Sequence, residues 1–261
     1  MGRWVMRVES FRLTAGALAL AVMFSCSLAL AQVAKNAGAS AMDQQIASYL
    51  QKAYSGNKSL ADVHPSVDDR VVTLTGSVGL LQNKLEAAHK ARQVASVNGV
   101  VNQIQVNGPA VPDQQLKRDL ADKLTYDRMG MGQTFNALTV KVSHGVVTVG
   151  GEVRDYPSRD SALDIIADTK GVKGMVDQIK VAPLSPMDDQ IRLEAARRIY
   201  GNPSLAMYAN NPAHTIRIVV TNGHVTLAGV VISQVDKSLA GNAVRTIPGV
   251  FSVQNDLVVS H

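Results

Sequence analysis

The chain repeats one short phrase three times, as Val72-Thr73-Leu74-Thr75-Gly76, Val147-Thr148-Val149-Gly150-Gly151 and Val225-Thr226-Leu227-Ala228-Gly229. Twenty residues after each closing glycine stands a small residue followed by valine, and ten residues further on stands another valine. Each copy opens with an Asp-x-Gln-apolar tetrad, which begins at Asp43, Asp113 or Asp188. A unit of about 65 to 72 residues can enclose its own core, unlike a short solenoid repeat. The sequence therefore predicts three tandem modules.

The first 31 residues have the pattern of an export signal. Three arginines precede an almost wholly apolar run over residues 13–30, and Ala29-Leu30-Ala31 has the small-x-small form of a cleavage site. We predict that residues 1–31 are a signal peptide cleaved after Ala31, and that the mature chain is exported to the periplasm. It could be peripheral to a membrane there.

Two alternatives to cleavage remain open: a retained transmembrane anchor, near the lower length limit for spanning, and lipidation at Cys26. Cys26 is the only cysteine of the chain, so a mature chain without it has no disulfide and no thiolate site. Removing three arginines and Glu9 with residues 1–31 lowers the formal net charge from +5 to +3. This mild positive charge fits weak attraction to anionic surfaces and argues against a nucleic-acid partner.

Proline-containing connectors mark the module boundaries. Proline restricts its own backbone and that of the preceding residue, so residues 107–112 and 182–186 predict short, stiff connections that hold the modules close together. Residues 32–40 are small and polar without periodicity, which predicts a disordered lead-in. The three modules then cover residues 41–107, 113–182 and 188–260.

Each module opens with apolar residues spaced four apart, such as Ile46 and Leu50, which is typical of an amphipathic helix. The leading aspartate stands three residues before the first apolar position. We expect its carboxylate to cap free backbone N–H groups at the start of this helix, which is a structural role.

Two alternating runs follow the opening helix. In the third module Asn222-Gly223 joins the first run to the repeated phrase, which is a strong signal for a β-hairpin. In the first module Pro65 interrupts the first run and Asp69-Arg70 occupies the turn. We therefore expect a short or frayed first strand there.

The last thirty residues of each module predict a second helix and a final strand. Ala87, Ala162 and Ala240 occupy equivalent positions, and such small side chains let a helix lie close to a sheet. The predicted order is helix, strand, strand, helix, strand. This is an α+β fold of three tandem two-layer modules, each with a small three-stranded sheet covered by two helices.

The phrases that recur in order resemble those of the BON domain. They are the Asp188-Asp189-Gln190-Ile191 opening, the Gly-x-Val-Thr-Leu-x-Gly hairpin at residues 223–229 and the Gly249-Val250 pair before the final strand. Three tandem copies would cover nearly the whole mature chain. The resemblance implies an outer-membrane-integrity or osmotically inducible protein of the cell envelope, with binding to phospholipid surfaces and no established catalytic residues.

The residues themselves give no sign of catalysis or of metal binding. The six histidines have neither HExxH nor HxH spacing, and no GxSxG or GxxxxGKS/T motif occurs. Met129-Gly130-Met131-Gly132 superficially suggests a phosphate loop, but it follows a helix rather than a strand. The carboxylates show no convergent pair. We expect no enzyme activity, no metal and no cofactor.

Basic residues recur near the predicted helices. Eight residues after each phrase-ending glycine stands a cation, and the opening helices of the second and third modules carry six more. Positions of this kind are often simply solvated. The functional alternative is that they contact headgroup phosphates, at about 1 kcal/mol each near an anionic membrane, or contact a protein partner. The candidates are Lys84, Arg159 and Lys237, then Lys117, Arg118, Lys123, Arg192, Arg197 and Arg198.

The modules differ in length between the opening helix and the phrase, so this loop varies while the rest stays constant. Loops of this kind often carry function. Either their apolar residues cover the open end of a small core, or they enter a membrane interface beside the basic helices. The candidates for the second role are Met129, Met131, Phe135, Met207 and Tyr208.

Two functional classes follow from these observations. The leading prediction is a non-enzymatic envelope protein that binds anionic phospholipid and supports envelope integrity or osmotic-stress adaptation. The alternative is a periplasmic chaperone or protein-interaction scaffold, in which the polar open sheet faces and the apolar loops contact client proteins. The oligomeric state does not follow from the sequence.

Overall fold

A computed structural model describes residues 41–126, 134–209, 211 and 214–260. The predicted signal peptide and lead-in, and the loop that holds Met129 and Met131, lie outside these residues. None of the helices within the described ranges has the length and apolarity needed to cross a bilayer.

Module 1 begins with a helix and continues through a hairpin, a second helix and a final strand in two pieces. These elements are α1 (residues 41–55), β1 (Val63–Asp68), β2 (Val71–Val78), α2 (Leu81–Arg92), β3 (Gly99–Asn102) and β4 (Gln105–Val106).

Modules 2 and 3 repeat this order with an unbroken final strand. Module 2 consists of α3 (Asp113–Tyr126), β5 (Ala137–Ser143), β6 (Val146–Val153), α4 (Tyr156–Ala167) and β7 (Gly174–Val181). Module 3 consists of α5 (Pro186–Tyr200), a 3-10 helix (Ala206–Ala209), β8 (Arg217–Thr221), β9 (His224–Val231), α6 (Gln234–Arg245) and β10 (Ser252–Val259).

The repeated phrase forms the central strand of every sheet. It pairs antiparallel with the strand before it and parallel with the final strand of its module. Its alternate apolar side chains, such as Val72 and Leu74, face the helices and are fully buried. The predicted α+β fold and its order of elements are confirmed in all three modules.

A glycine closes the phrase because the backbone there takes a positive φ. Gly151 has φ +99°, and a Cβ built on it would lie 2.0 Å from the carbonyl oxygen of Ala137 on the neighbouring strand. Only glycine avoids both the strain and the clash. Gly76 and Gly229 have the same problem, with a Cβ 1.9 Å from Asp62 O and 2.3 Å from Thr215 O.

The expectation of a short or frayed first strand in module 1 is wrong. Strand β1 pairs with β2 over all six of its residues, including Pro65 opposite Leu74. Proline is tolerated because β1 is an edge strand, where a missing N–H can face away from the sheet. Asp69 and Arg70 close the turn with φ of 45° and 61°.

Modules 1 and 2 meet where α2 begins. Leu81, the first residue of α2, is 4% exposed and packs into the core of module 2 with Leu116 and Leu120. In the connector, Val111 packs against Gly171 of module 2. The start of α2 is therefore the docking surface of module 1.

Modules 2 and 3 meet by a different route, through the edge strands β5 and β8. Val219 lies on the outer face of its sheet and yet is only 7% exposed, whereas the equivalent Ser66 and Lys141 are exposed. Thr221 donates a hydrogen bond to Glu152 across this junction, and Arg154 forms an ion pair with Asp189 at 3.2 Å. Module 2 therefore covers part of the outer sheet face of module 3.

Candidate functional site

The leading aspartates tie each opening helix to the hairpin turn of the same module. Asp188 accepts hydrogen bonds from the backbone N–H groups of Asn222 at 2.9 Å and Gly223 at 2.8 Å. Asp43 accepts from residues 69 and 70, and Asp113 from residues 144 and 145, in the same way. The role is structural as expected, but the expectation of a helix cap is wrong. In module 3 the capping residue is Ser185, which accepts from the N–H of Asp188.

The cations near the start of the second helix are drawn into their own modules. Arg159 donates to Asp177, and to Asp160 at 3.1 Å, while Lys237 Nζ donates to the carbonyl oxygen of Leu257 at 2.7 Å. The side chain of Lys84 is half-buried. Two of the three equivalent cations therefore have internal partners.

A side chain of the final strand binds the second helix in every module, and we call this contact the clip. Asn102 and Asn255 lie 26 residues after the phrase-ending glycine, and each donates its side-chain N–H to the second helix, at Lys84 O (2.9 Å) and Lys237 O (2.7 Å). Module 2 has Asp177 at this position, which cannot donate and binds the guanidinium of Arg159 instead. The clip joins the final strand to the second helix in all three modules.

The basic residues of α5 are largely neutralised or buried. Arg192 is 3% exposed, donates to Asp189 at 2.7 Å and to Val220 O, and its Nε has no hydrogen-bond partner within the described part of the chain. Arg197 and Arg198 both bind Glu194, at 2.5 and 2.8 Å. The hydrogen bond from Arg198 is the main cause that lowers the pKa of Glu194. The charge that α5 presents to solvent is therefore smaller than its sequence suggests.

The basic residues of α3 differ from those of α5. Lys117 and Arg118 are exposed, and Arg118 donates to the neutral side-chain oxygen of Gln115 at 2.6 Å. Neither takes part in the ion pairs found among the described residues. Lys123 is half-buried and lines a cleft of 640 Å³ at the junction with module 1.

Most of the described loop candidates belong to a core. Phe135 is 2% exposed and packs in the core of module 3, with the guanidinium carbon of Arg154 5.9 Å from its ring centre. Tyr208 is fully buried, donates to Asp236 at 2.7 Å and accepts from the N–H of Ile232 at 2.9 Å. These two side chains are buried in a core and are not exposed on the surface of a loop. Met207, by contrast, is 52% exposed.

Comparison with known proteins agrees with the repeated architecture. A sequence profile of the BON domain matches residues 42–108, 112–183 and 202–261. The chain belongs to the BON domain family. The resemblance that the three phrases carry is thereby confirmed for all three copies. No curated protein matches the chain.

Two solved structures resemble the BON chain at low identity. They are CdsD, a structural protein of the type III secretion system of Chlamydia trachomatis, and the C-terminal domain of CdsD. The first is 14% identical with a TM-score of 0.23, and the match covers 81% of this chain and 90% of that one. The second is 12% identical with a TM-score of 0.24, and the match covers 81% of this chain and 96% of that one.

Sequence reasoning missed the side chains that join the BON modules. Arg154 and Asp189 form the ion pair between modules 2 and 3; Arg154 lies outside the repeated phrases, and Asp189 occupies the variable position of the opening tetrad. It also missed Tyr156 and Leu184, which are 67% and 95% exposed beside the second connector. The sequence does contain a signal for Tyr156, because module 1 has Leu81 at the equivalent position.

Proposed function

We propose that this BON protein is a non-enzymatic component of the cell envelope, exported to the periplasm, that binds anionic phospholipid through the outward face of α3. The proposal is supported by the family and by the export pattern of residues 1–31. The observation that carries it is the exposed pair Lys117 and Arg118, since neither residue takes part in the ion pairs among the described residues.

Helix α3 suits this role better than α5 does. In α5 the side chain of Glu194 binds two arginines, and Arg192 is buried against β8. A cation that already shares a carboxylate gains less from a headgroup phosphate, because part of its charge is neutralised. Lys117 and Arg118 would each contribute about 1 kcal/mol at an anionic surface. Binding would then be weak, reversible and sensitive to salt.

Flotation of residues 32–261 with liposomes of increasing anionic lipid content tests the proposal. We expect binding to rise with anionic content, to fall with added salt, and to be lost in the Lys117→Glu, Arg118→Glu variant. The matched control is Lys52→Glu, Lys58→Glu, which reverses two exposed charges in module 1 and changes the net charge by the same amount.

The control separates a local site from an effect of overall charge. Binding retained in the control and lost in the α3 variant supports the proposal. Equal loss in both variants points to net charge alone, and flotation that is absent for the unchanged protein contradicts lipid binding.

One observation favours the alternative, a periplasmic chaperone or interaction scaffold. The open sheet faces of modules 1 and 2 are less polar than expected, because Val71, Val101, Val146 and Val176 are each between 37% and 44% exposed. Exposed apolar groups on a sheet face can contact unfolded clients. If this alternative is correct, the protein suppresses aggregation of an unfolded client without floating with liposomes, and Val101→Thr, Val176→Thr weakens the suppression.

A further inference from the structure

One apolar surface of module 2 is uncovered although its counterpart in module 1 is buried. Tyr156 stands five residues after the phrase-ending glycine, as Leu81 does in module 1. Leu81 is 4% exposed because it packs into the next module, whereas Tyr156 is 67% exposed. We call Tyr156, together with Leu184 of the connector, the apolar end of module 2. The two residues border a cleft of 320 Å³ that Pro157, Val181 and Ala182 also line.

The structure also contains the kind of surface to which such an end binds. In module 1 the start of α2 docks where α3 lies beside the end of α4, and Leu80, Asp119, Asp122 and Asp168 line the cleft at this contact. Counted from the opening aspartate, Glu194 and Arg197 of α5 are the counterparts of Asp119 and Asp122.

Module 3 presents this counterpart surface to solvent, because module 2 contacts module 3 elsewhere, through strands β5 and β8. Arg198 of α5 donates to Thr246, just beyond α6, at 2.7 Å and joins the two helices at a corner. Arg197 is 76% exposed, and Leu193, one helical turn earlier, is 47% exposed. We call Leu193, Glu194, Arg197, Arg198 and Thr246 the basic corner of module 3.

Charge is complementary both at the junction of modules 1 and 2 and between the apolar end of module 2 and the basic corner of module 3. The signs are reversed between these two pairs of surfaces. At the first junction α2 carries Lys84, Lys90 and Arg92 against Glu86, and it meets a cleft lined by three aspartates and two lysines, which has a small excess of negative charge. Around the apolar end of module 2 the charged residues are Asp155, Asp160 and Asp164 against Arg154 and Arg159, which leaves a small excess of negative charge. The basic corner of module 3 has two arginines that share one glutamate, so it keeps an excess of one positive charge. An excess of negative charge around the apolar end of module 2 disfavours contact with an anionic membrane and favours contact with a basic protein surface.

We infer that the apolar end of module 2 docks on the basic corner of module 3 in a second copy of this chain. The two surfaces differ, so the contact is heterologous, and each copy keeps one free surface of each kind. Head-to-tail association of this type adds further copies unless the rotation closes a ring. The inference does not depend on the proposed lipid binding.

Sedimentation velocity of residues 32–261 without lipid tests the inference. We expect the weight-average mass to rise with concentration, and to stay that of a monomer in two variants. The first, Tyr156→Ser, Leu184→Ser, removes the apolar end, and the second, Leu193→Asp, Arg197→Glu, removes the basic corner. All four positions are exposed, so both variants are expected to fold, which thermal melts check.

Mixing the two variants gives the decisive result. Each variant keeps one working surface, so the mixture should form a dimer with one copy of each and nothing larger. Tyr49→Ser, which removes a 63% exposed tyrosine from α1, is the matched control and should associate as the unchanged protein does.

Three outcomes would overturn the inference. They are an unchanged protein that is monomeric at every concentration, association that persists in both variants, and a mixture that stays monomeric. If the first variant also loses flotation while the unchanged protein is monomeric, the apolar end contacts lipid instead. Flotation that fails beside normal self-association contradicts only the proposed function.

Discussion

The carboxylate of Asp188, in the first turn of α5, accepts the backbone N–H groups of Asn222 and Gly223 in the turn between β8 and β9. The two partners lie 34 and 35 positions away along the chain. Asp188 is 1% exposed and Gly223 is buried, so the N–H group of Gly223 has a charged acceptor in a site with little access to water. This tether fixes the opening helix against the hairpin, and its recurrence explains why each repeat opens with aspartate.

Asp188→Ala should lower the free energy of unfolding by about 3 kcal/mol, because a charged acceptor is lost and the buried N–H group of Gly223 is left without a partner. Urea denaturation of residues 32–261 measures the change. Asp164→Ala, on the exposed side of α4, is the control and should change the free energy by no more than about 0.5 kcal/mol. Equal changes in the unfolding free energy of the two variants would show that the hydrogen bonds of Asp188 add no stability beyond that of an exposed aspartate.

The equivalent Asp113 predicts a pH dependence. Hydrogen bonds from the N–H groups of Gly145 and then His144 lower the pKa of Asp113 below its usual value of 3.8. A carboxyl whose pKa is lower in the folded state stabilises the fold above its unfolded pKa, and this contribution is lost as the pH falls through the folded pKa. Asp113→Asn should therefore be less stable than the unchanged protein at pH 7, and the difference should shrink below pH 3.8. Urea titrations at both pH values test this, and a constant difference would contradict it.

Gly76 and Gly79 lie three residues apart and should respond oppositely to alanine. At Gly76, φ is +104° and a Cβ would lie 1.9 Å from the carbonyl oxygen of Asp62, whereas at Gly79 nothing lies within 4 Å of it. Gly76→Ala should lower the unfolding free energy by about 3 kcal/mol through backbone strain and the clash. Gly79→Ala should leave it unchanged or raise it slightly. Thermal unfolding of the two variants side by side measures the contrast.

Local patterns predicted most of the fold. The period of apolar residues separates helices from strands, and the repeated phrase places the central strand, because both signals depend on neighbours within a few residues. These local signals could not predict that β1 is an edge strand, because that depends on how the strands are ordered in the sheet. Pro65 weakens a strand only where the sheet needs its N–H, and the sequence does not say which side of β1 is free.

The candidate site was predicted less well, because its residues depend on contacts far along the chain. The helical pattern predicts that Arg192 is a surface cation, but β8 lies against it and its guanidinium is buried. Phe135 reads as a loop residue of module 2, yet it packs in the core of module 3. Which module covers which face follows from packing between repeats, and repeats that share a pattern do not reveal it.

Asp177→Asn should free the guanidinium of Arg159 without unfolding module 2. Modules 1 and 3 have asparagine at this position, and each donates to a backbone carbonyl of the second helix. An asparagine at 177 can donate to Arg159 O in the same way and still accept the N–H of Ile179 through its oxygen. We expect a stability within about 0.5 kcal/mol of the unchanged protein, and stronger flotation on anionic liposomes. Asp160→Asn, which removes the same charge but not the main partner of Arg159, is the control.

Phe135→Ala should destabilise module 3, although residue 135 precedes the hairpin of module 2. Phe135 is 2% exposed in the cluster that contains Ile191, Tyr208 and Ile216, so truncation leaves a cavity and should cost about 3 kcal/mol. Hydrogen exchange by mass spectrometry locates the loss: amides of α5 and β8 should exchange faster, while those of α3 keep their protection. Met207→Ser removes an exposed apolar side chain from the other loop and should leave both regions unchanged. If α3 loses protection and α5 does not, Phe135 supports module 2, and the two modules are less interdependent than their packing indicates.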